Sequence, residues 1–245
     1  MNEFLFYMVV FAAHIIQGIT GFGGAILAMP PALFLVGAGV ATPIINGLGI
    51  MSGLYVLAGN VKQVDRRVLI HVLGVMAPFV VVGALLHKLL AGQASIMYAI
   101  FGVIILLVAI GGLIRLFRTK TASADTIFHT IFYELLLVLA GVVHGMFACA
   151  GPFLVGYLAR RLPQKDALRS TVSVVWVVLG VLLLIAQIAL GEWNLDLVRI
   201  QLETVPFLLA GMFVGSIVFR RVSQRAFTVL VYILLGISGV LLLMH

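Results

Sequence analysis

Apolar stretches of about 20 residues follow one another almost from end to end of this chain, and no motif constrains its fold as much. As a helix, such a stretch rises about 1.5 Å per residue and spans the roughly 30 Å of hydrocarbon in a bilayer. The runs are continuous rather than alternating, and a backbone in lipid must satisfy its own hydrogen bonds. The pattern therefore predicts transmembrane helices and excludes a β-barrel. Of 245 residues only 9% are charged against 63% hydrophobic, too little charge to cover a soluble surface.

The net charge of +7 does not imply a nucleic-acid partner, because the cations sit in short loops between apolar runs, where topology signals belong. The single cysteine, Cys149, excludes an internal disulfide and a Cys-rich metal site, and no metal or cofactor is expected. The start, Met1-Asn2-Glu3-Phe4, has no basic region and is read as a retained helix rather than a signal peptide. No enzyme signature is present: no His-Glu-x-x-His, no Gly-x-Ser-x-Gly, no phosphate loop with its lysine.

Loops marked by charge delimit six ordinary spans, at 41–59, 68–86, 94–114, 168–190, 198–219 and 226–244. Two longer segments, 3–37 and 127–159, are too long for one span and carry a glycine-rich break in the middle. The first break reads Gln17-Gly18-Ile19-Thr20-Gly21-Phe22-Gly23-Gly24, the second His144-Gly145-Met146-Phe147-Ala148-Cys149-Ala150-Gly151-Pro152. They align without gaps: Gly18 and Gly145, Gly24 and Gly151, and Gly53 and Gly180 each stand 127 residues apart. Pro78 and Pro206, and Gly83 and Gly211, stand 128 apart. The chain thus reads as one transmembrane domain made of two copies, 1–120 and 121–245, each a broken helical hairpin followed by three spans.

Charge orients the copies. With loop 60–67 inside, alternation puts 13 of the 15 Lys and Arg residues inside and only Lys88 and Arg199 outside. This requires 127–159 to enter and return on one side, which turns the second copy upside down relative to the first. The expected fold is all-α integral membrane, with two inverted-topology repeats whose re-entrant hairpin tips meet near the midplane, as in secondary transporters. Each hairpin arm, at about 13–17 residues, is short for a full crossing.

Non-helical backbone at membrane depth must be buried in protein or line a cavity. Helix N-termini there present N–H groups and a partial positive charge, which suits a small anion. Gln17, Gly18, Thr20, Gly21, Gly23, Gly24, His144, Gly145, Cys149, Gly151 and Pro152 are the tip residues of such a site; Pro152 suits the first position of a helix. In the span after the first hairpin, Thr42, Asn46, Gly49 and Gly53 share a helical face. Arg169, Ser173, Trp176 and Gly180 occupy the matching positions, flanked by Thr171. Asn46 and Ser173 are candidate donors to a substrate. His144 is a candidate for binding the anion when protonated or for carrying a coupled proton, and Glu134 is the intramembrane carboxylate placed for the same task. His14 and His71 are weaker candidates.

The two breaks, together with Lys165-Asp166-Ala167-Leu168-Arg169-Ser170-Thr171, resemble the sulfite exporter TauE/SafE family over essentially the whole chain. The resemblance implies transport of a sulfur-containing anion, such as sulfite, thiosulfate or an organosulfonate, across a bacterial inner membrane. The second tip departs from the first at Ala148 and Ala150, where the first has Gly21 and Gly23. A channel-like anion pore and a non-transporting membrane scaffold are the alternatives, and a homodimer is left open.

Overall fold

The computed structural model describes residues 3–89, 103, 106–114, 127–148 and 150–244. Cys149, most of span 94–114 and loop 115–125 lie outside them. Every regular element among the described residues is helical: α1 (Glu3–Thr20), α2 (Gly24–Val36), α3 (Ala38–Asn60), α4 (Arg66–Leu89), α5 (Ile127–Phe147), α6 (Gly151–Arg161), α7 (Lys165–Ala189), α8 (Leu195–Arg221) and α9 (Gln224–Leu243). A single 3-10 turn, Val61–Gln63, joins α3 to α4, and residues 106–114 form a further helical segment.

By length and composition α3, α4, α7, α8 and α9 can each cross a membrane. They fall on the expected spans 41–59, 68–86, 168–190, 198–219 and 226–244. Their outer faces carry exposed Ile70, Leu85, Ile185, Leu202 and Phe213. Apolar surface on that scale is stable in lipid and not in water. The chain is an all-helical membrane protein.

Both expected hairpins form, with uneven arms. The first arms have 18 and 21 residues, longer than the spacing suggested. The second arms have 13 and 11 residues, which at about 1.5 Å per residue is too short to cross.

Packing runs between the two halves. The most extensive pairings are α1 against α8, α4 against α5, and α3 against α7. In lipid there is no hydrophobic drive between helices, so close contact rests on small residues that let backbones approach. A Cβ on Gly215 would stand 2.3 Å from the Ile15 carbonyl oxygen, and one on Gly141 would stand 2.7 Å from that of Met76. The basic connections among the described residues gather at one end of the bundle. There the Asp65 amide donates to Thr171 Oγ1 at 3.0 Å. Lys165 Nζ, also at that end, donates to the Val222 and Phe219 carbonyls at 2.7 and 3.1 Å, covering acceptors that α8 leaves unpaired at its C-terminus.

Candidate functional site

Each hairpin turns by the same device at matched positions. The Gly21 amide donates to the Gln17 carbonyl at 2.7 Å, and the Ala148 amide to the His144 carbonyl at 2.8 Å. The closing residue is left-handed in both, with φ 78° at Gly21 and 51° at Ala148. Glycine takes this conformation freely, whereas alanine is strained by about 1–2 kcal/mol. The likeness ends two residues on. Gly23 has φ 92°, but its counterpart Ala150 has φ −97°.

Side chains then fix the first tip. Gln17 reaches across it, with Oε1 accepting from the Gly24 amide at 2.9 Å. Its Nε2 donates to the Gly21 carbonyl at 3.3 Å and to Ser52 Oγ at 3.2 Å. The Thr20 hydroxyl is taken up by the backbone of Ile16 and Phe22. The two tips touch: a Cβ on Gly151 would lie 3.0 Å from Ile26 Cδ1 and 3.5 Å from the Phe22 ring.

Where the tips meet there is a cavity of about 40 Å³, lined from both halves of the chain. His14, Gln17, Gly23, Asn46, His144 and Trp176 supply its chemistry, with Phe22, Ile26 and Ile45 as apolar wall. The space holds a few water-sized groups. The first intrahelical bond of α2 runs from the Leu27 amide to Gly23 at 3.0 Å. The preceding amides, at Ala25 and Ile26 in the cavity wall, therefore lack an intrahelical acceptor. Pro152, near the start of α6, has no N–H to leave unpaired.

His144 is 3% exposed and stacks on Trp176 with ring centroids 5.7 Å apart. The Leu179 backbone is close enough to interact with it, but neither ring nitrogen forms a hydrogen bond of normal geometry. Such a group is costly unless something arrives to pair with it. The Trp176 indole nitrogen donates instead to the Gly21 carbonyl at 3.0 Å.

Of the candidate residues, Gln17, Gly23, Asn46, His144, Gly151 and Trp176 line the cavity. Asn46 spends its amide on the Gly180 carbonyl and Gln187 Oε1, at 3.2 and 3.1 Å. Gly18, Thr20, Gly21, Gly24, Gly145 and Pro152 shape the tips without lining the space. Ser173 Oγ donates to the Arg169 carbonyl of its own helix at 2.8 Å, and Thr171 accepts from Asp65. Arg169 is 4% exposed, its guanidinium bonded to Ser216 Oγ at 2.9 Å and seated 4.4 Å over the Phe219 ring. Glu134 faces His71 Nε2 at 2.9 Å and Arg161 at 3.5 Å, away from the cavity lining. His14, Gly49 and Ser52 also line the cavity. For Ser52 the available signal was spacing, three residues past Gly49 on the same helix.

An all-helical membrane protein with two broken hairpins meeting at a small cavity, apolar in most of its wall with a few polar groups, has the build of a membrane transporter. Residues 6–242 match the sulfite exporter TauE/SafE family, and the chain belongs to that family, one of transporters rather than enzymes. It is 28% identical over 189 residues, 76% of this chain and 75% of the relative, to the probable inner membrane transporter protein TsaS of Comamonas testosteroni. No solved structure matches it significantly.

Proposed function

We propose that this protein is a secondary transporter that exports a small sulfur-containing anion (sulfite, thiosulfate or an organosulfonate) across the inner membrane, holding it between the two hairpin tips. One observation carries this reading: the cavity takes its lining from both halves, combines helix-start amides with the unpaired His144, and contains no carboxylate among the described residues. Such a lining attracts an anion and offers it donors. The family and the name of the relative favour the inner membrane and a sulfur oxyanion.

The packing favours two inverted copies. Helix α1 of the first copy lies on α8 of the second, and α5, its counterpart, lies on α4, the counterpart of α8. Any two-fold relation produces this exchange and pairs α3 with its own counterpart α7; the Asp65–Thr171 bond, which sets the end of α3 beside the start of α7, supports an axis in the membrane plane. The end bearing Arg160, Arg161, Lys165, Arg220 and Arg221 then faces the cytoplasm.

The test is counterflow of labelled sulfite into proteoliposomes preloaded with unlabelled sulfite, which a carrier accelerates and a simple pore does not. Gly49 lines the cavity with nothing within 4 Å of a Cβ placed there. Gly49→Leu therefore fills the space and should raise the half-saturating sulfite concentration at least tenfold. Uptake without trans-stimulation overturns the carrier; unchanged Gly49→Leu kinetics in well-folded protein overturn the site.

A further inference from the structure

Among the described residues the cavity lining holds two imidazoles, His14 from α1 and His144 from α5, and no Lys, Arg, Asp or Glu, so these two rings are the lining groups able to take up a proton. The two histidines are not chemically equivalent. His14 Nδ1 lies 2.7 Å from the Val10 carbonyl oxygen, one turn back on its own helix. A carbonyl only accepts, so Nδ1 carries the hydrogen of the neutral ring and Nε2 is left with a lone pair. Among the described residues no hydrogen bond engages Nε2, which leaves it as the ring atom free to meet a ligand in the cavity that His14 lines. Neutral His14 therefore shows an arriving anion a lone pair, and becomes a donor only when Nε2 gains a proton. His144 has no hydrogen bond of normal geometry at either nitrogen, so its neutral ring can turn an N–H to the anion without taking up a proton.

We propose that His14 makes anion transport proton-coupled: binding of the anion between the tips draws one proton onto His14 Nε2, and its release gives that proton back to water. The proposal rests on the anion site described above. In the bound state Nδ1–H stays with Val10, the new Nε2–H meets the anion, and the imidazolium offsets one negative charge of the anion in a cavity with no other charged side chain among the described residues. On release the proton and the anion leave together and the ring returns to its neutral tautomer. Among the described residues no charged side chain lines the cavity beside these two rings. Helix α2 has no titratable side chain and α3 has only Tyr55. Helix α8 carries Asp196, Arg199, Glu203, Arg220 and Arg221, none of them in the lining. Glu203 accepts from Arg199 and Tyr7. Arg169 of α7 is held by Ser216, outside the lining.

Calorimetric titration of the purified protein with sulfite, in buffers of different ionisation enthalpy, counts the protons taken up per anion bound. Sulfite's own bisulfite equilibrium contributes equally to every variant and cancels in differences. The wild type should take up about one proton more than His14→Gln, whereas His144→Gln should bind more weakly with the wild-type count. Equal counts for wild type and His14→Gln overturn the proposal. Should His14→Gln not fold, the wild type decides: an uptake no larger than sulfite's own speciation requires overturns the coupling, and an additional proton supports it. Absence of any sulfite binding by the wild type removes the anion site itself, and the coupling with it.

Discussion

The indole nitrogen of Trp176 donates to the carbonyl oxygen of Gly21 at 3.0 Å, tying the long helix of one half to the tip of the other. The same carbonyl accepts from Gln17 Nε2, but at 3.3 Å, so the indole is its shorter partner. Trp176→Phe keeps an aromatic ring to stack on His144 and removes the donor, together with part of the ring's volume at the edge of a cavity that is already open. The expected loss is about 1 kcal/mol, the net worth of a buried neutral hydrogen bond. Thermal unfolding in detergent should show a lower midpoint; an unchanged midpoint would mean that this bond does not hold the tip.

Helices α3 and α7 meet through two glycines that occupy matched positions in the halves. A Cβ on Gly53 would stand 2.8 Å from the Ser173 carbonyl oxygen, and one on Gly180 would stand 3.4 Å from Asn46 Oδ1 and 2.7 Å from Ile50 Cγ1. Ser173 and Asn46 are themselves 127 residues apart, so the contact is reciprocal. Gly53→Ala must push the backbones apart and should destabilise by about 1–3 kcal/mol, the usual cost of overpacking. Gly49→Ala, one turn away and facing open space, should unfold within a degree or two of the wild type. Equal unfolding midpoints for Gly53→Ala and Gly49→Ala would sink the account of this interface.

The two left-handed tip residues predict opposite responses to exchanging alanine and glycine. Ala148 sits at φ 51°, so Ala148→Gly should stabilise the protein by about 1 kcal/mol through relieved strain. Gly21 sits at φ 78° with an added Cβ 3.0 Å from the Arg169 side chain and carbonyl, so Gly21→Ala meets both strain and collision. It should cost more than about 2 kcal/mol. Chemical or thermal unfolding of the pair checks this, and a destabilised Ala148→Gly would contradict the matched geometry of the tips.

Much of this arrangement was legible in the sequence because its causes are local. Long apolar runs became α3, α4, α7, α8 and α9 since length and hydropathy alone settle that outcome. Glycines at a fixed offset marked both breaks, although the second turn closes on Ala148 rather than on a glycine. What sequence spacing could not show was where each polar side chain spends its hydrogens. Asn46 and Ser173 read as substrate donors and Thr20 and Thr171 as residues of the same site, yet their partners are Gly180 and Gln187, Arg169, the tip backbone and Asp65. Those bonds depend on how distant helices dock. His14 ranked below His144 because it lies one turn before the glycines, and only the fold brings both rings to one cavity.

Glu134 is the carboxylate that sequence reasoning placed on a proton path, and its surroundings give a sharp expectation. Its oxygens meet His71 at 2.9 Å, Tyr157 at 3.4 Å and Arg161 at 3.5 Å, joining α4, α5 and α6 beside the basic end of the bundle. The carboxylate is 33% exposed and absent from the cavity lining. Pairs this open to solvent contribute about 0–1 kcal/mol each, because water and salt screen them and two long side chains must be held in place. Glu134→Gln should therefore lower the unfolding midpoint by no more than a few degrees. It should leave both sulfite affinity and the number of protons taken up per sulfite at wild-type values. Loss of sulfite-linked proton uptake in Glu134→Gln, with His14 intact, would move the proton carrier from the cavity to this cluster.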